Sequence, residues 1–527
     1  RASKLAHERG GITKAANALI SPPAAPRDSR TLATLRGKHP TEDPAAIAIG
    51  QIPEMENLFE EATVKAVIKK ANPQSAAGPS GLRYSHLQAA LCDELVEDLA
   101  AFATLVFSSR VLPQVFWTLH TSANLSALGQ KARPVACGDV LRRVIGAVFC
   151  RRYGRKLADY FQPWGQYGVA VSGGVEIMAL TATLGFEEGC TILSYDGANA
   201  FNSIYRHRFL PALAEIVPSV VPYASNLYAR EPPKLLFALD GGGSEVVESA
   251  RGVQQGCNLG PLCYSAGSLK ILKEFRANPP VPGARAVSFI DDITVILPPE
   301  RSLDVAAIGK VTEWLQERLG IEGISLNRRK SQALLADGVG PEQLTEEQRV
   351  AMDTTGLTVV RQGMRVVGVP VGTEQFQRDF LKEAVNGEPA ELVRALAPME
   401  DAQASFQILR LSATSRLSHL LRTVPPSITG QAAANYDALV EWALASIIAG
   451  DGAAAAGLPT PEEALRQAHL PIREGGLGLT SSSSIKGAAY IGCHALELYW
   501  WKREQEGEGR GRGGGGGGEE GARGHGC

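Results

Sequence analysis

The sequence predicts a protein of the α+β class, with helical segments on either side of a central region that is rich in strands. Apolar residues repeat at three- and four-residue spacings early in the chain and again after residue 373, which is the period of an amphipathic helix. Short apolar runs separated by turns lie between these regions and predict strands. Because two of these strands form a tight hairpin, we expect an antiparallel sheet backed by helices.

Length and composition exclude several classes of protein. The 527 residues allow about two to four domains. The 53 Lys+Arg and 55 Asp+Glu give a net charge of −2, which excludes a bulk polycation but not a nucleic-acid binder with its positive charge on one surface. No apolar run reaches the roughly 18 residues that a membrane span needs, so we expect no membrane contact. The eight cysteines form no CxxC pair, which predicts no structural zinc and a reducing, intracellular compartment.

The N-terminal third predicts an arm followed by two helices. Residues 1–53 are rich in Ala, Pro and Arg with little periodicity, so we expect a loosely packed arm. From Glu54 the apolar spacing predicts a helix that stops at Asn72-Pro73. A Gly/Pro-rich loop follows, and then a second helical stretch over 85–108.

The middle of the chain predicts strands, two of which have acids at their ends. Residues 191–195 form a short apolar run that ends at Asp196. The segment 235–249 has a Gly-rich turn at its centre and predicts a hairpin. Two further β-forming runs flank Asp291 and Asp292, so these acids would occupy the turn of another hairpin.

The C-terminal third predicts helices and then a tail. Thr460-Pro461-Glu462-Glu463 is a capping box with proline at the first helical position, which predicts a helix start. From residue 507 the chain is low-complexity and Gly-rich, so we expect a disordered tail over 507–527. The chain begins with Arg1 rather than Met, and we expect it to be a piece of a longer product.

The acids Asp196, Asp291 and Asp292 would form a metal site if their strands end side by side. Taken separately, the Asp291-Asp292 pair can be a solvated hairpin turn and Asp196 a helix N-cap. Together they suit Mg²⁺, which takes one or two carboxylates plus substrate phosphate oxygens. Two such ions about 3.5–4 Å apart stabilise the attacking and leaving oxygens of a phosphoryl transfer.

Seven short motifs occur in an order that resembles that of reverse transcriptases. The motifs are Ala77-Gly-Pro-Ser-Gly81, Arg133-Pro-Val-Ala136, Tyr195-Asp-Gly-Ala-Asn-Ala-Phe201, Gly252-Val-Gln-Gln-Gly-Cys-Asn-Leu-Gly-Pro261, Phe289-Ile-Asp-Asp292, Leu326-Asn-Arg-Arg-Lys-Ser331 and Val367-Gly-Val-Pro-Val-Gly372. The pattern is most similar to the non-long-terminal-repeat (LINE-type) retrotransposon enzymes. The resemblance implies a right-hand polymerase, with fingers and an antiparallel-sheet palm over 54–372 and a helical thumb-like region over 373–506.

The resemblance also implies a cofactor and its ligands. Asp196, Asp291 and Asp292 would be catalytic metal ligands, and the carbonyl of Gly197 would complete a metal's shell. The implied cofactor is a pair of Mg²⁺ ions, with Mn²⁺ as a substitute. Lys330 would reach the triphosphate and protonate the leaving pyrophosphate, although a solvated lysine is the plainer interpretation.

Five residues would bind the nucleotide substrate. Phe201 would lie under the sugar and exclude a 2′-hydroxyl, unless it is an ordinary core aromatic. Gln255 and Gly256 would lie near the template base and the incoming nucleotide. Arg133 is the candidate triphosphate clamp, since guanidinium binds phosphate oxygens bidentately, and Lys131 lies two residues before it.

A local excess of positive charge predicts contact with a phosphate backbone. Residues 121–160 contain eight basic and two acidic residues, a net charge of +6. The basic residues are Lys131, Arg133, Arg142, Arg143, Arg151, Arg152, Arg155 and Lys156. A solvated basic helix is the alternative interpretation.

The predicted function is that of an RNA-directed DNA polymerase, which adds dNTPs to a DNA primer on an RNA template. Two alternatives stay open from the residues. One is a catalytically inactive or domesticated relic that binds nucleic acid with the same fold. The other is a hydrolase that uses the same acids, for which Phe201 and Gln255 would have no purpose. Nuclear action is implied by the resemblance alone.

Overall fold

The structure is a computed structural model, and it describes residues 1–21, 24–41, 59–108, 112–453 and 462–495. The helices of the first half are α1 (Ala2–Ala6), α2 (Ile12–Ile20), α3 (Ser29–Gly37), α4 (Glu61–Lys70), α5 (Tyr84–Ala89), α6 (Asp93–Ser108), α7 (Gln114–Thr121), α8 (Val140–Phe161), α9 (Gly174–Glu187), α10 (Ala200–Ser203), α11 (Arg206–Ile216) and α12 (Val221–Tyr228). Those of the second half are α13 (Gly260–Ala277), α14 (Val305–Ile321), α15 (Glu346–Thr355), α16 (Glu374–Asn386), α17 (Glu388–Leu396), α18 (Ala402–Ile408), α19 (Ser418–Thr423), α20 (Pro426–Ala453), α21 (Glu462–His469) and α22 (482–495).

The strands are concentrated in the middle of the chain, as the sequence predicted. They are β1 (Ala123–Leu128), β2 (Arg133–Gly138), β3 (Thr191–Tyr195), β4 (Gly197–Ala198), β5 (Lys234–Ala238), β6 (Ser244–Glu248), β7 (Arg285–Phe289), β8 (Asp292–Leu297), β9 (Ser325–Leu326), β10 (Gln332–Leu334), β11 (Thr358–Val359), β12 (Gly363–Val366) and β13 (Val369–Gly372). With helices before, between and after them, the predicted α+β class is confirmed.

The described residues of the N-terminal segment, 1–21 and 24–41, are folded, which corrects the expectation of a loosely packed arm there. The helices α1 and α2 bury Ala6, Ala15 and Ala16 against the C-terminal helices. The helix α3 buries Leu32 and Leu35 against a different part of the molecule, a four-stranded sheet. Composition did not predict this packing because most of the buried residues are alanines, whose small side chains give a weak apolar periodicity.

Both helices predicted between residues 54 and 108 differ in extent from the expectation. The predicted start at Glu54 lies outside the described residues, and α4 covers Glu61–Lys70. The stretch 85–108 divides into α5 and α6. Acidic residues favour a helix N-terminus, where they face the positive end of the helix dipole. Asp93 and Glu94 occupy the first turn of α6, which explains why a new helix begins there.

A four-stranded sheet has the strand order β2-β1-β5-β6, and we call it the fingers sheet after the region in which the resemblance predicts the fingers. The strands β1 and β2 form an antiparallel hairpin in which Leu128 is opposite Arg133. The predicted hairpin at 235–249 is present as β5 and β6, paired from Lys234↔Glu248 to Ala238↔Ser244. The helix α3 covers this sheet, so an N-terminal element completes its hydrophobic core.

A five-stranded sheet has the order β11-β10-β3-β8-β7, and we call it the palm sheet after the predicted antiparallel palm. Three of its four strand pairs, β10 with β3, β3 with β8 and β8 with β7, are antiparallel, whereas the pair β10 with β11 is parallel. The strands β3 and β8 are almost wholly buried, which agrees with their continuous apolar runs. The largest hydrophobic core of the described residues joins this sheet to α8, α11, α12, α13 and α14.

The chain after residue 373 is helical, as predicted. Its core surrounds Tyr436 of α20, whose hydroxyl donates a hydrogen bond of 2.8 Å to the Ala413 carbonyl. Thr460 and Pro461 of the predicted capping box lie outside the described residues, as does the tail over 507–527, and α21 begins at Glu462. Across the described ranges, no helix combines the length and apolarity needed to cross a membrane.

Candidate metal and nucleotide site

Two neighbouring strands of the palm sheet bring the three predicted acids to one sheet edge. The antiparallel register of β3 and β8 sets Tyr195 opposite Ile293, so Asp196 follows β3 where Asp292 begins β8. Phe289 pairs with Asp292 across the β7–β8 hairpin, and Asp291 lies in the turn between them. Side chains far apart in the sequence are therefore neighbours at this edge.

The acids at this edge interact electrostatically. Burial raises the pKa of Asp291, and the nearby Asp196 raises it further, against the lowering effect of Arg133. The Asp292 side chain reaches the surface but has protein on most sides. This partial burial, and then the carboxylates of Asp291 and Asp196, raise the pKa of Asp292 to about 6. The edge therefore holds more negative charge than the protein neutralises, which is the condition that favours a bound cation.

The motif Leu326–Ser331 folds around Asp196. Asn327 donates from Nδ2 to Asp196 Oδ2 at 3.1 Å and from its backbone N–H to the Asp196 carbonyl at 2.8 Å. Lys330 Nζ lies 3.5 Å from the same carboxylate oxygen, although its side chain is mostly exposed. Ser331 Oγ accepts the Asp196 backbone N–H at 3.1 Å. The structure thus places Lys330 at the acidic edge.

The residues at this edge supply oxygen ligands that suit a hard cation such as Mg²⁺, but they do not surround a single cation position. In the part of the chain that the structure describes, no three His, Cys, Asp or Glu side chains are grouped closely enough to hold a metal ion. The fit rests on the donor set: three carboxylates, two of which have raised pKa values, beside Gly197. Gly197 pairs with Leu326, and a Cβ there would lie 3.1 Å from Ala200 Cβ, so the backbone passes close to its neighbours.

Gln166 is a residue of the site that sequence reasoning missed. It is completely buried, and its Oε1 accepts the backbone N–H groups of Ile290 at 2.8 Å and Gly168 at 2.9 Å. Its Nε2 lies 3.2 Å from both the Ile290 carbonyl and Ser288 Oγ. Ile290 has a φ of +59°, a left-handed conformation that β-branched residues rarely adopt. Gln166 therefore supports the turn that carries Asp291, and no local sequence pattern marks it as part of the site.

Phe201 contacts Tyr264, an aromatic residue that lies close to the acids. Its ring stacks on that of Tyr264, with centroids 5.1 Å apart and planes inclined by 9°. Burial, followed by the charges of Asp291 and Asp292, raises the pKa of Tyr264, which shows that this ring is close to the acid pair. The Phe201 side chain is only partly buried, so it packs against the core and also reaches the surface.

The hairpin of β1 and β2, called the fingers hairpin below, contacts the segment that contains Gln255 and Gly256. Arg133 Nε donates to Gln255 Oε1 at 2.9 Å, and the Ala136 N–H donates to the Gln255 carbonyl at 2.7 Å. Gly256 has a φ of +105°, and a Cβ there would lie 2.5 Å from the Ala136 carbonyl oxygen, so only glycine fits. Lys131 is exposed in the turn before Arg133. The structure therefore unites Arg133, Gln255 and Gly256 near the acids.

The predicted basic strip has fewer free cations than its sequence suggested. Arg142 is 4% exposed and donates to the Thr121 carbonyl at 3.0 Å, so it is part of the core. Arg143 donates to the Ala76 carbonyl at 2.7 Å, and Arg152 pairs with Glu60 at 3.4 Å. The sequence does not distinguish the buried or paired arginines from the exposed ones, because both kinds lie on one helix, α8. Arg151, Arg155 and Lys156 remain on the surface.

The chain is similar to proteins of one family. The model of the family described as "Reverse transcriptase (RNA-dependent DNA polymerase)" matches residues 130–371. The Retrotransposable element SLACS 132 kDa protein of Trypanosoma brucei gambiense is 24% identical over 458 residues, which are 86% of this chain and 35% of that protein. The chain thus spans about a third of this relative's length.

Similar solved structures include two telomerases. The apo telomerase of Candida tropicalis has a TM-score of 0.36 and 10% identity, over 67% of each chain. The telomerase of Candida albicans with a fragment of telomeric RNA has a TM-score of 0.35 and 11% identity, over 72% of this chain and 67% of that one.

The family match includes the segments that carry every predicted site residue, from Lys131 in the fingers hairpin to Lys330 beside Asp196. It also includes every strand of both sheets except β1, which ends at Leu128 before the match begins. The resemblance that the ordered motifs indicated is confirmed. The chain carries a reverse transcriptase domain with a right-hand polymerase fold.

Proposed function

We propose that the chain is the RNA-directed DNA polymerase of a non-long-terminal-repeat retrotransposon. It would extend the 3′ end of a primer with dNTPs on an RNA template and release pyrophosphate. The observation that carries this proposal is the meeting of Asp196, Asp291 and Asp292 at one edge of the palm sheet. The family match and the similarity to a retrotransposable-element protein support it.

The three carboxylates, with the Gly197 carbonyl, would hold two divalent cations, Mg²⁺ or Mn²⁺. When bound, such ions neutralise negative charge on the attacking and leaving oxygens. The chain's own contribution is the arrangement of the ligands: Asn327 and Lys330 orient Asp196, and Gln166 supports the turn before Asp292. Lys330 Nζ lies 3.5 Å from Asp196 Oδ2, and it would donate a proton to departing pyrophosphate.

The nucleotide would lie between the palm sheet and the fingers hairpin. Arg133 donates a hydrogen bond to Gln255, and its charge lowers the pKa of Asp291, so it lies close to the acids. Its guanidinium would bind the triphosphate, with Lys131 as a second cation. Phe201, stacked on Tyr264, would meet the sugar and exclude a 2′-hydroxyl. Gly256 would let the backbone approach the template base.

Primer and template would bind through their phosphates. The exposed Arg151, Arg155 and Lys156 of α8 are the candidates for these contacts. Each phosphate contact releases counterions from the nucleic acid, so affinity should fall steeply as salt rises.

A second candidate function is nucleic-acid binding without turnover. It would need only the exposed cations of α8, which include Arg151, Arg155 and Lys156, and no metal site. Such a relic would bind a primed template and leave its length unchanged.

A primer-extension assay separates the two candidates. The protein is mixed with a primed homopolymer RNA, dNTPs and Mg²⁺, and the primer length is followed. We expect extension that falls about a hundredfold or more in Asp291→Asn, since the variant loses a metal ligand. Asp98→Asn changes an exposed carboxylate on α6 and is the matched control. Binding without extension by the unaltered protein would instead establish the relic, and a shortened primer would establish a hydrolase.

A further inference from the structure

Lys38 lies where the N-terminal segment reaches the reverse transcriptase domain. It is the C-cap residue of α3, the helix that buries Leu32 and Leu35 against the fingers sheet. Arg36, two residues earlier, forms a 3.0 Å ion pair with Glu245 of β6. The packing of α3 and the ion pair of Arg36 therefore fix the position of Lys38 independently of its own contacts.

The side chain of Lys38 contacts the turn of the fingers hairpin. Its Nζ donates to the carbonyl oxygen of Ala132 at 3.0 Å and also to that of Lys131. Ala132 has a φ of +47°, which costs energy for a residue with a Cβ. An ammonium group that binds two successive carbonyls stabilises this conformation directly before Arg133.

The backbone of Lys38 contacts the loop that follows Asp196. Its carbonyl oxygen accepts hydrogen bonds from Asn199 Nδ2 at 2.7 Å and Asn202 Nδ2 at 3.0 Å. Asn202 is buried and also donates to Asn199 Oδ1 at 3.1 Å. One residue thus connects the turn that precedes Arg133 with the loop that carries Asp196.

We propose that Lys38 is a positioning residue, which fixes the fingers hairpin relative to the acidic edge and so holds Arg133 in place for the nucleotide triphosphate. This inference rests on the proposed polymerase function. Burial, and then the charge of Lys330, lower the pKa of Lys38, so its ammonium lies on the side of the site that Lys330 also faces. Because Arg133 would bind the triphosphate equally in the ground and transition states, loss of its positioning should act on KM more than on kcat.

The test compares Lys38→Met, Lys38→Arg and Lys14→Met in the full chain. Methionine keeps most of the aliphatic length of lysine without the ammonium. Arginine restores a charged donor and is the conservative variant. Lys14 of α2 is the matched control, because its Nζ also donates to a backbone carbonyl, that of Gln74.

Two measurements are made on each protein: backbone hydrogen exchange over residues 129–138, and steady-state extension against dNTP concentration. For Lys38→Met we expect exchange at least about fivefold faster and KM for dNTP about tenfold higher, with kcat within about threefold, since two charged hydrogen bonds are lost. Lys38→Arg should recover at least half of each change. Lys14→Met should match the unaltered protein in both.

Unchanged exchange over 129–138 in Lys38→Met would overturn the proposed connection. Faster exchange with an unchanged KM would overturn the role in nucleotide binding. If the unaltered chain extends no primer, the polymerase proposal fails, and hydrogen exchange still decides whether Lys38 holds the hairpin. If Lys38→Met does not fold, Lys38→Arg is tested in its place. If the structure of Lys38→Arg lacks the contact with Lys131 and its hydrogen exchange and KM still equal those of Lys14→Met, the proposal is refuted.

Discussion

Replacing Gln166 with leucine tests whether the turn that carries Asp291 depends on one buried amide. Leucine has a similar volume but no hydrogen-bonding group, so the variant leaves the N–H groups of Ile290 and Gly168 without their acceptor. The Ile290 carbonyl would keep its 3.0 Å bond from Ser288 Oγ. The perturbation therefore falls on two backbone donors.

The size of the effect follows from these two donors. Each unsatisfied N–H at a buried site costs about 1–3 kcal/mol, and both groups are partly buried, so we expect a total of about 1–4 kcal/mol. This range corresponds to roughly five- to several hundredfold faster opening of residues 286–297, since 1.4 kcal/mol is about a factor of ten. Hydrogen exchange measures that opening locally, which suits a chain too large for simple two-state unfolding.

Gln377→Leu is the matched control for this experiment. Gln377 is 4% exposed, and its Nε2 donates to the Gly372 carbonyl at 3.1 Å. Its Oε1 has no hydrogen-bond partner among the described atoms, so leucine also removes an unsatisfied acceptor. We expect a change below about 1 kcal/mol at its own site and none at 286–297. Equal exchange over 286–297 in Gln166→Leu and Gln377→Leu would refute the reasoning about the turn.

Three further outcomes are expected. Burial and the neighbouring carboxylates raise the pKa of Asp292 in the folded state from 3.8 to about 6. The folded state therefore binds this proton more tightly than the unfolded state does. Stability without metal should therefore fall as pH rises from about 4 through about 6, and Asp292→Asn should raise the melting temperature at pH 7.5 but not at pH 4. Mg²⁺ should raise the melting temperature of the unaltered protein at pH 7.5, and a shift of equal size in Asp291→Asn would contradict the assigned ligands. Leu35→Ala, at a fully buried position between α3 and the fingers sheet, should destabilise that contact by about 2–4 kcal/mol and speed hydrogen exchange in α3, whereas Leu411→Ala at an exposed position should not.

The sequence was most informative where local pattern and final environment agree. Residues 191–195 were predicted as a buried strand because an apolar run of that length fits the centre of a sheet, and β3 lies there between two neighbours. The hairpin at 235–249 was predictable for a similar reason, since its glycines permit the tight turn. The placement of Asp196 near Asp291 followed from the acids' positions at strand ends, although the sequence could not supply the register.

Features that depend on contacts distant in sequence were not predictable. The role of Gln166 arises from the backbone of Ile290, 124 residues away, and nothing in the local pattern distinguishes it from other glutamines. Arg142 and Arg151 have the same charge and share α8, yet one is buried and the other exposed. The alanines of α1 and α2 carried too little apolar signal to reveal packing against helices almost 400 residues further along the chain.

The two ends of the N-terminal segment attach to different regions of the molecule. The helix α1 holds the C-terminal helices, where Ser3 and His7 both donate to the Asp401 carboxylate, the latter at 2.7 Å. The helix α3 covers the fingers sheet about thirty residues later. A recombinant protein that lacks only the N-terminal segment would therefore expose apolar surface at both places and lose the segment that contacts both. Expression work on this chain should retain the first forty residues, even though no motif of the reverse transcriptase domain lies within them.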